Sequence, residues 1–381
     1  MKAKLLVTTL SFFIVACGHA QSSLPFDIEP VASFDEPWAM AFLPDGRMLV
    51  TEKKGALLIV TRDGQKSAAV AGVPAVDYGG QGGFGDVALH PDFRDNNRIY
   101  LSYVEAGADD TRGAAVARAT LQLTEQGGAL ADVEVVWRQY PKVVGRGHYG
   151  HRILFDAAGY LWISSGERQK FTPAQDMQSN LGKILRLNDD GSIPADNPFV
   201  GHFSEDPLVD DEGVYGQIWS LGHRNTLGIA FDLDGQLWNI EMGPRGGDEL
   251  NRIKRGANYG YPLVSNGDHY DLRDIPDHDT RPEFEPPALW WTPVITPASL
   301  ITYRGTLFEG WRGNAFTAGL ASTAIVQIEL GAESAREIAR YNMGVRIRSV
   351  VEGPDGALWV LEDQRDGKGG RLLRLTPKIQ D

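Results

Sequence analysis

Met40-Ala41-Phe42-Leu43-Pro44-Asp45-Gly46-Arg47-Met48-Leu49-Val50-Thr51-Glu52 is the stretch that decides the fold. One apolar run leads into Asp45-Gly46 and a second leads out of it. Glycine reaches positive φ without a Cβ clash, so Asp-Gly between two such runs predicts a β-hairpin. The unit recurs along the chain. Asn96-Asn97 precedes Arg98-Ile99-Tyr100-Leu101-Ser102-Tyr103, and Ala158-Gly159 precedes Tyr160-Leu161-Trp162-Ile163-Ser164-Ser165. Asp234-Gly235 precedes Gln236-Leu237-Trp238-Asn239-Ile240, Arg312-Gly313 precedes Asn314-Ala315-Phe316-Thr317-Ala318, and Asp355-Gly356 precedes Ala357-Leu358-Trp359-Val360-Leu361. In five of the six, an apolar run also stands just before the turn.

Six hairpins at uneven intervals, with few long amphipathic helical patterns, predict an all-β chain. The architecture expected is a six-bladed β-propeller of four-stranded blades, with long loops forming the site on one face. Seven blades, or a pair of β-sandwiches, would accommodate the same repeat. The long intervals, roughly 104–150, 166–220 and 243–300, are expected to carry the loops, where a rigid scaffold usually builds its site.

Composition narrows the function. The 381 residues are 42% hydrophobic, with 50 acidic and 37 basic side chains and a formal net charge of −13. Phosphate backbones need a basic footprint, so no nucleic-acid partner is expected. Lys2 and Lys4 precede an apolar run over residues 5–16, too short to span a bilayer as a helix, so residues 1–20 read as an export signal. Residues 21–381 form the propeller domain. Cleavage after Gly18-His19-Ala20 would start the mature chain at Gln21. Ile14-Val15-Ala16-Cys17 instead resembles a bacterial lipobox, which would put a lipid anchor on Cys17. Cys17 is the single cysteine, so the domain has no disulfide. Either cleavage makes the protein periplasmic, soluble or tethered to the membrane.

Four polar clusters break the hairpin pattern. Gly145-Arg146-Gly147-His148-Tyr149-Gly150-His151-Arg152 sets two histidines and two arginines among three glycines, just before the strand-like Ile153-Leu154-Phe155. Such a loop lets a ligand approach closely, and a histidine there can move a proton near neutral pH; an exposed loop with a solvated histidine is the plainer alternative. Tyr78-Gly79-Gly80-Gln81-Gly82-Gly83-Phe84-Gly85-Asp86 offers the Gln81 amide as donor and acceptor, or is simply a flexible turn. Leu221-Gly222-His223-Arg224-Asn225 presents a guanidinium fork, with His223 either packed or solvated. Glu241-Met242-Gly243-Pro244-Arg245-Gly246-Gly247-Asp248-Glu249, followed by Asn258-Tyr259-Gly260-Tyr261-Pro262, combines carboxylates with glycine-exposed carbonyls. It suits a hard cation such as Ca²⁺ or is an acidic loop, and it lacks EF-hand spacing.

Near the end, Val345-Arg346-Ile347-Arg348 would place both arginines on one face of a strand. Like charges so placed call for solvent or for an anion between them, and a polycarboxylate would serve. Several chemistries lack their signatures: no Gly-x-Ser-x-Gly elbow, no HExxH, no thiolate zinc set, and no GxGxxG in a βαβ context.

Taken in order, these clusters resemble the soluble pyrroloquinoline quinone (PQQ)-dependent sugar dehydrogenases, the glucose/sorbosone dehydrogenase family, from about Pro37 to about Pro377. The motifs are Gln-Gly-Gly-Phe-Gly at 81–85, His-Pro-Asp-Phe at 90–93, His-Tyr-Gly at 148–150, Leu-Gly-Lys-Ile-Leu-Arg-Leu-Asn at 181–188, Ile-Pro-Ala-Asp-Asn-Pro at 193–198, Arg-Asn at 224–225, Gly-Pro-Arg-Gly-Gly-Asp-Glu at 243–249, Asn-Tyr-Gly-Tyr-Pro at 258–262 and Arg-Ile-Arg at 346–348. The family's fold is a six-bladed propeller.

The resemblance implies an aldose oxidised at its anomeric carbon to the lactone, with PQQ and Ca²⁺ as cofactors. It implies His148 as the catalytic base, Gln81 at the mouth, Arg224 and Asn225 on quinone and sugar, and Tyr270 lining the cofactor. It implies Arg346 and Arg348 on the PQQ carboxylates, the carbonyls of Gly243 and Pro244 on the quinone-bound Ca²⁺, and Glu249 and Tyr259 on a second, structural Ca²⁺. The electron acceptor, a cytochrome or a quinone, stays open, as does the choice of monomer or homodimer. The chain departs from the family in three places. Ala321 stands where a lysine often contacts PQQ, Gly147 stands where the glucose branch has an aspartate, and His151 stands where a small residue is usual. Arg152 reads as structural. Two other functions fit a propeller: a calcium-dependent lactonase, which the arginine-rich centre disfavours, and a non-catalytic binding module.

Overall fold

The computed structural model describes residues 24–124, 126–201, 214–365 and 369–378. Residues 1–20, read as an export signal, and Cys17 within them lie outside the described residues.

Six antiparallel sheets form the six blades of a propeller. Their inner strands are Pro37–Phe42, Phe84–Leu89, Gly150–Phe155, Thr226–Phe231, Pro297–Thr302 and Ile347–Glu352, which open blades one to six. Each inner strand pairs with the next strand in sequence through one of the six turns. The turn chemistry is as expected. Gly46, Gly159, Gly235, Gly313 and Gly356 have φ between 79° and 88°, and in blade two Asn97, at φ 51°, fills the place of the glycine. Asparagine tolerates this region because its short polar side chain bonds locally. Asp156 and Asp232 lock two of these turns by accepting the indole N–H of Trp162 and Trp238, each at 2.8 Å.

Apolar residues alternate onto both faces of each blade, so packing is blade on blade around the ring. Leu49, Phe84 and Leu101 sit between blades one and two. Tyr100, Ile153 and Leu185 sit between two and three, Trp162, Ile184 and Leu237 between three and four, and Trp238, Leu300 and Val326 between four and five. Phe316, Val350 and Leu358 follow between five and six, and Met48, Val60 and Trp359 between six and one. The ring is closed by the first strand, Phe26–Ser33, which pairs antiparallel with the last, Arg371–Pro377, on the outside of blade six.

One expectation is corrected. The interval 104–150 is mostly sheet, since Thr111–Thr124 and Gly127–Arg138 form a long hairpin in blade two. Its alanine-rich first half, Gly113-Ala114-Ala115-Val116-Ala117, carries little β-propensity, and burial against blades one and three supplies what propensity lacks. Among the described residues no helix is long and apolar enough to cross a membrane.

All six inner strands share an irregularity that places the site: the register shifts at the strand's first residues, as at Pro37/Ala39, Gly150/Ile153 and Ile347/Ser349. A bulge bends the strand and re-aims its side chains. Glu36, His148 and Thr296, close before their inner strands, all have positive φ, at 53°, 48° and 54°. The start of the inner strands is therefore where backbone strain gathers, and it is where the polar clusters lie.

Candidate active site

His148 stands just ahead of the inner strand of blade three and is 6% exposed. Its main-chain N–H donates to Gln81 Oε1 at 2.8 Å, which ties the two glycine-rich loops together. Its Nδ1 meets Glu167 Oε1 at 2.5 Å. Glu167 is fully buried, and its other oxygen accepts the main-chain N–H groups of Lys170 (2.5 Å) and Phe171 (2.6 Å). Burial raises the Glu167 carboxyl, but His148 and these N–H donors outweigh it and hold the group below its ordinary value. Burial likewise presses the His148 imidazole below its usual value, against the Glu167 hydrogen bond that raises it, and Arg224 adds to the lowering. At neutral pH the pair is a carboxylate beside a neutral imidazole. With Nδ1 engaged, Nε2 is the nitrogen left to accept a proton.

Two cavities lie near the starts of the inner strands, and the pair lines the first of them. One, of about 240 Å³, is lined by His148, Glu167, Arg224, Pro244, Tyr261 and Tyr270. The other, of about 470 Å³, has Trp38, Gln81, His151, Asn225, Arg346 and Arg348 in its wall. The consecutive residues Arg224 and Asn225, at the head of blade four, each face one of them. Arg224 is 5% exposed, donates from Nη1 to the carbonyls of Met242 (3.0 Å) and Gly243 (2.6 Å), and leaves Nε unbonded. Asn225 is buried with Oδ1 unbonded. Among the described residues neither atom has a hydrogen-bond partner, although each residue lines a cavity. Tyr270 is 73% exposed and lies 5.9 Å from the Arg224 guanidinium, so it belongs to the rim of the His148 cavity rather than to the larger one.

Arg346 and Arg348 do lie on one face, as their alternation implies, and the anion between them is the protein's own. Asp363 accepts Arg346 Nε at 2.7 Å and Arg348 Nε at 2.8 Å. Burial raises the Asp363 carboxyl, but the two arginines override it and keep it ionised. His223 is packed, as one of its two alternatives had it: it is fully buried, with Nδ1 3.0 Å from Glu241 and Nε2 2.9 Å from Ser220.

The residues proposed for cations divide into two groups, and among the described residues no three His, Cys, Asp or Glu side chains converge as a metal set. Main-chain oxygens would have to carry much of the ligation. The Gly243 carbonyl already points at a cationic group, Arg224, and Pro244 lines the same cavity. Hard oxygen donors of this kind suit Ca²⁺. Glu249 is buried, with Asn251 Nδ2 and His278 Nε2 each 3.4 Å away, and Asn251 Oδ1 has no hydrogen-bond partner among the described residues. Burial, with the charge of Glu241, raises the Glu249 carboxyl, the condition a cation would relieve. The Tyr259 hydroxyl is committed, donating to the Arg252 carbonyl (2.5 Å) and accepting the Lys254 N–H (2.9 Å). Any ligation by Tyr259 would fall to its main-chain oxygen.

His151 and Arg152 hold the centre together. His151 stacks on Trp38 with centroids 5.0 Å apart and bonds Ser102 Oγ through Nδ1 at 2.8 Å. Arg152 lies 3.9 Å over Trp38, donates from Nε to the Leu227 carbonyl at 2.8 Å, and reaches Asp86 at 3.4 Å and the Ala298 carbonyl. It joins blades two to five and is structural. Sequence reasoning passed over Glu167, Asp363, Trp38 and Gln169. Glu167 had one signal: it follows Ser164-Ser165-Gly166 where the second strand of blade three returns to the site. Gln169 lies where a Cβ on Gly147 would be, with its Oε1 2.3 Å from that point.

Comparison with known proteins places the fold in a family. The family model described as "Glucose / Sorbosone dehydrogenase" matches residues 34–374. Aldose sugar dehydrogenase YliI of Escherichia coli strain K12 is 37% identical over 350 residues, covering 90% of this chain and 91% of the relative. Quinoprotein glucose dehydrogenase B of Acinetobacter calcoaceticus is 25% identical over 452 residues, covering 95% and 91%. The apo crystal structure of the soluble E. coli aldose sugar dehydrogenase superposes with a TM-score of 0.83 at 37% identity, covering 93% of this chain and all of that one. The PQQ-bound aldose sugar dehydrogenase of Streptomyces coelicolor gives 0.74 at 27% identity, covering 93% and 98%. With its six-bladed ring and a buried His–Glu pair at the head of blade three, the chain belongs to the glucose/sorbosone dehydrogenase family and is an oxidoreductase of the sugar dehydrogenase kind.

Proposed function

We propose that the protein oxidises an aldose at its anomeric carbon to the lactone, with PQQ and Ca²⁺ as cofactors and His148 as the general base. The observation that carries this reading is the buried His148–Glu167 pair beside a cavity with aromatic rings in its wall. When bound, PQQ supplies a hydride acceptor and Ca²⁺ a Lewis acid to polarise it. His148 Nε2 takes the proton of the anomeric hydroxyl while the hydrogen on that carbon leaves as hydride, so the C–O bond becomes the lactone carbonyl. Glu167 fixes the imidazole ring and stabilises the imidazolium that forms, the orienting role a carboxylate plays behind a catalytic histidine. Gln81, through its bond to the His148 N–H, holds the base over the cavity.

Arg346 and Arg348 would hold the cofactor's carboxylates, and Arg224 and Asn225 would reach cofactor and sugar. The carbonyls of Gly243 and Pro244 would hold the catalytic cation, and Glu249 with Tyr259 a structural one. Tyr261 and Tyr270 present apolar faces to the sugar ring. The reading includes an external electron carrier, a cytochrome or a quinone, and export through residues 1–20, with Cys17 lipidated or removed. Mass spectrometry of the mature N-terminus tests the last point. The main test is reconstitution of the apoprotein with PQQ and CaCl₂, followed by dye reduction over a panel of aldoses. Saturable PQQ binding and dye reduction by at least one aldose are expected. Failure of either sinks the proposal.

A further inference from the structure

The larger cavity has a basic side and an apolar side. Trp38, Leu227, Met242 and Leu320 supply the apolar one. On the basic side, blade six supplies Arg365 and the paired Arg346 and Arg348, and Lys53 arrives from blade one, directly after the strand Met48–Glu52. The two arginines are engaged by Asp363. Glu36, the other carboxylate in this wall, accepts the Tyr78 hydroxyl and stays 3.9 Å from Lys53 Nζ. The ammonium's hydrogen bond goes to the Gly80 carbonyl, at 3.1 Å. Its side chain is only 15% exposed; burial, the largest effect, and the nearby Arg348 work against its charge, and Glu36 and Asp363 offset them only in part. A cation buried in such a place, with its nearest carboxylate at 3.9 Å and its hydrogen bond spent on a carbonyl, is poised for an anion that enters the cavity. Blade five offers none, since Leu320 lines the cavity and Ala321 follows it.

We propose that Lys53 is a third cationic anchor, delivered from blade one, for the carboxylates of a flat aromatic polyacid bound in this cavity. The assignment rests on the PQQ reading above. A lysine suits the place because its ammonium is a compact point charge that needs no planar partner. Its bond to Gly80 also couples the anchor to Gln81, the next residue, and through Gln81 to the N–H of His148.

The test is a titration of apoprotein with PQQ in the presence of CaCl₂, followed by tryptophan fluorescence, since Trp38 lines the cavity. K53Q keeps a donor for the Gly80 carbonyl and removes the charge. Its dissociation constant for PQQ is expected to rise roughly 10- to 100-fold, the range for one charge-assisted hydrogen bond. The dependence of affinity on ionic strength should weaken in K53Q, because one screened attraction is gone. K53R should hold both affinity and salt dependence near the wild type. K53Q/A321K, which brings the charge in from blade five, should recover part of the loss. Equal affinity of K53Q and wild type overturns the assignment. So does a loss shared by K53R with no change in salt dependence, which would make Lys53 a prop for the Gly80 loop. If wild-type protein binds no PQQ, the cofactor reading itself falls, and this assignment falls with it.

Discussion

His148 and His151 lie three residues apart in one loop, and both are buried with positive φ. Their surroundings make them opposites. His148 has a carboxylate on one nitrogen and a cavity beside the ring. His151 has a neutral hydroxyl on Nδ1, the flat face of Trp38 against its ring, and Arg152, Arg168 and Lys53 as nearby charges, none of them negative. Burial, with Arg152 next, pushes His151 down to about 3, whereas Glu167 limits the fall at His148. The difference teaches that burial alone makes a histidine inert. A buried carboxylate is what turns it into a base that can accept and hold a proton.

The sharpest way to break this contrast is H148A. Turnover should drop by roughly 10³-fold, within the range general-base catalysis commands, while PQQ affinity stays near that of the wild type. Steady-state kinetics and a cofactor titration would show it, and retained turnover would remove His148 from the chemistry. Next comes E167Q. The hydrogen bond that His148 donates to Glu167 is what raises the imidazole, so its loss should move the acid limb of the kcat/KM profile to lower pH. The rate at the plateau should fall by about 10- to 100-fold, the ring having lost its fixed tautomer. E167D, which keeps the charge, should recover part of that rate.

A smaller effect is expected at His151, and in stability rather than rate. Its folded-state value lies below that of the unfolded chain, so the unfolded state binds the proton first as pH falls. The wild type should therefore lose up to about 1.4 kcal/mol per pH unit from this one group between the ordinary histidine range and about 3. H151Q should flatten that dependence in denaturant melts at several pH values. If stability in wild type and H151Q falls equally with acid, His151 is not the buried neutral group described. The smallest change is expected from G147A. The new methyl would meet the end of the Gln169 side chain, which can swing away. KM for the sugar should move a few-fold and kcat hardly at all.

The ring was largely legible in the sequence because its turns demand a rare backbone. Five glycines and one asparagine mark the places where positive φ is required, and each sits between two apolar runs. The hairpin over 111–138 was hidden for the converse reason: alanine and glycine in a central strand are chosen for the space between blades and leave no periodic signal. The loop histidine, the paired arginines and the cation cluster stood out as unusual polar groups among glycines. Glu167 and Asp363 did not, because an acid after a strand looks like any surface carboxylate until the fold buries it. Lys53 was silent for the same reason. Its position in the cavity depends on blade one lying against blade six, a contact between the two ends of the chain.

That contact has a temporal side. Phe26–Ser33, the first strand, has no partner until Arg371–Pro377 exists, and Lys378 N–H then bonds the Pro25 carbonyl at 3.1 Å. A ribosome or an export channel delivers these segments at opposite ends of the process. The opening segment must wait with a bare edge while the blades in between are completed, and the wall shared by blades six and one, which holds Lys53, Arg346 and Arg348, is the last part of the ring to be made. A chain halted before its final strand would thus have its His148–Glu167 pair in place, and the wall of the larger cavity unfinished.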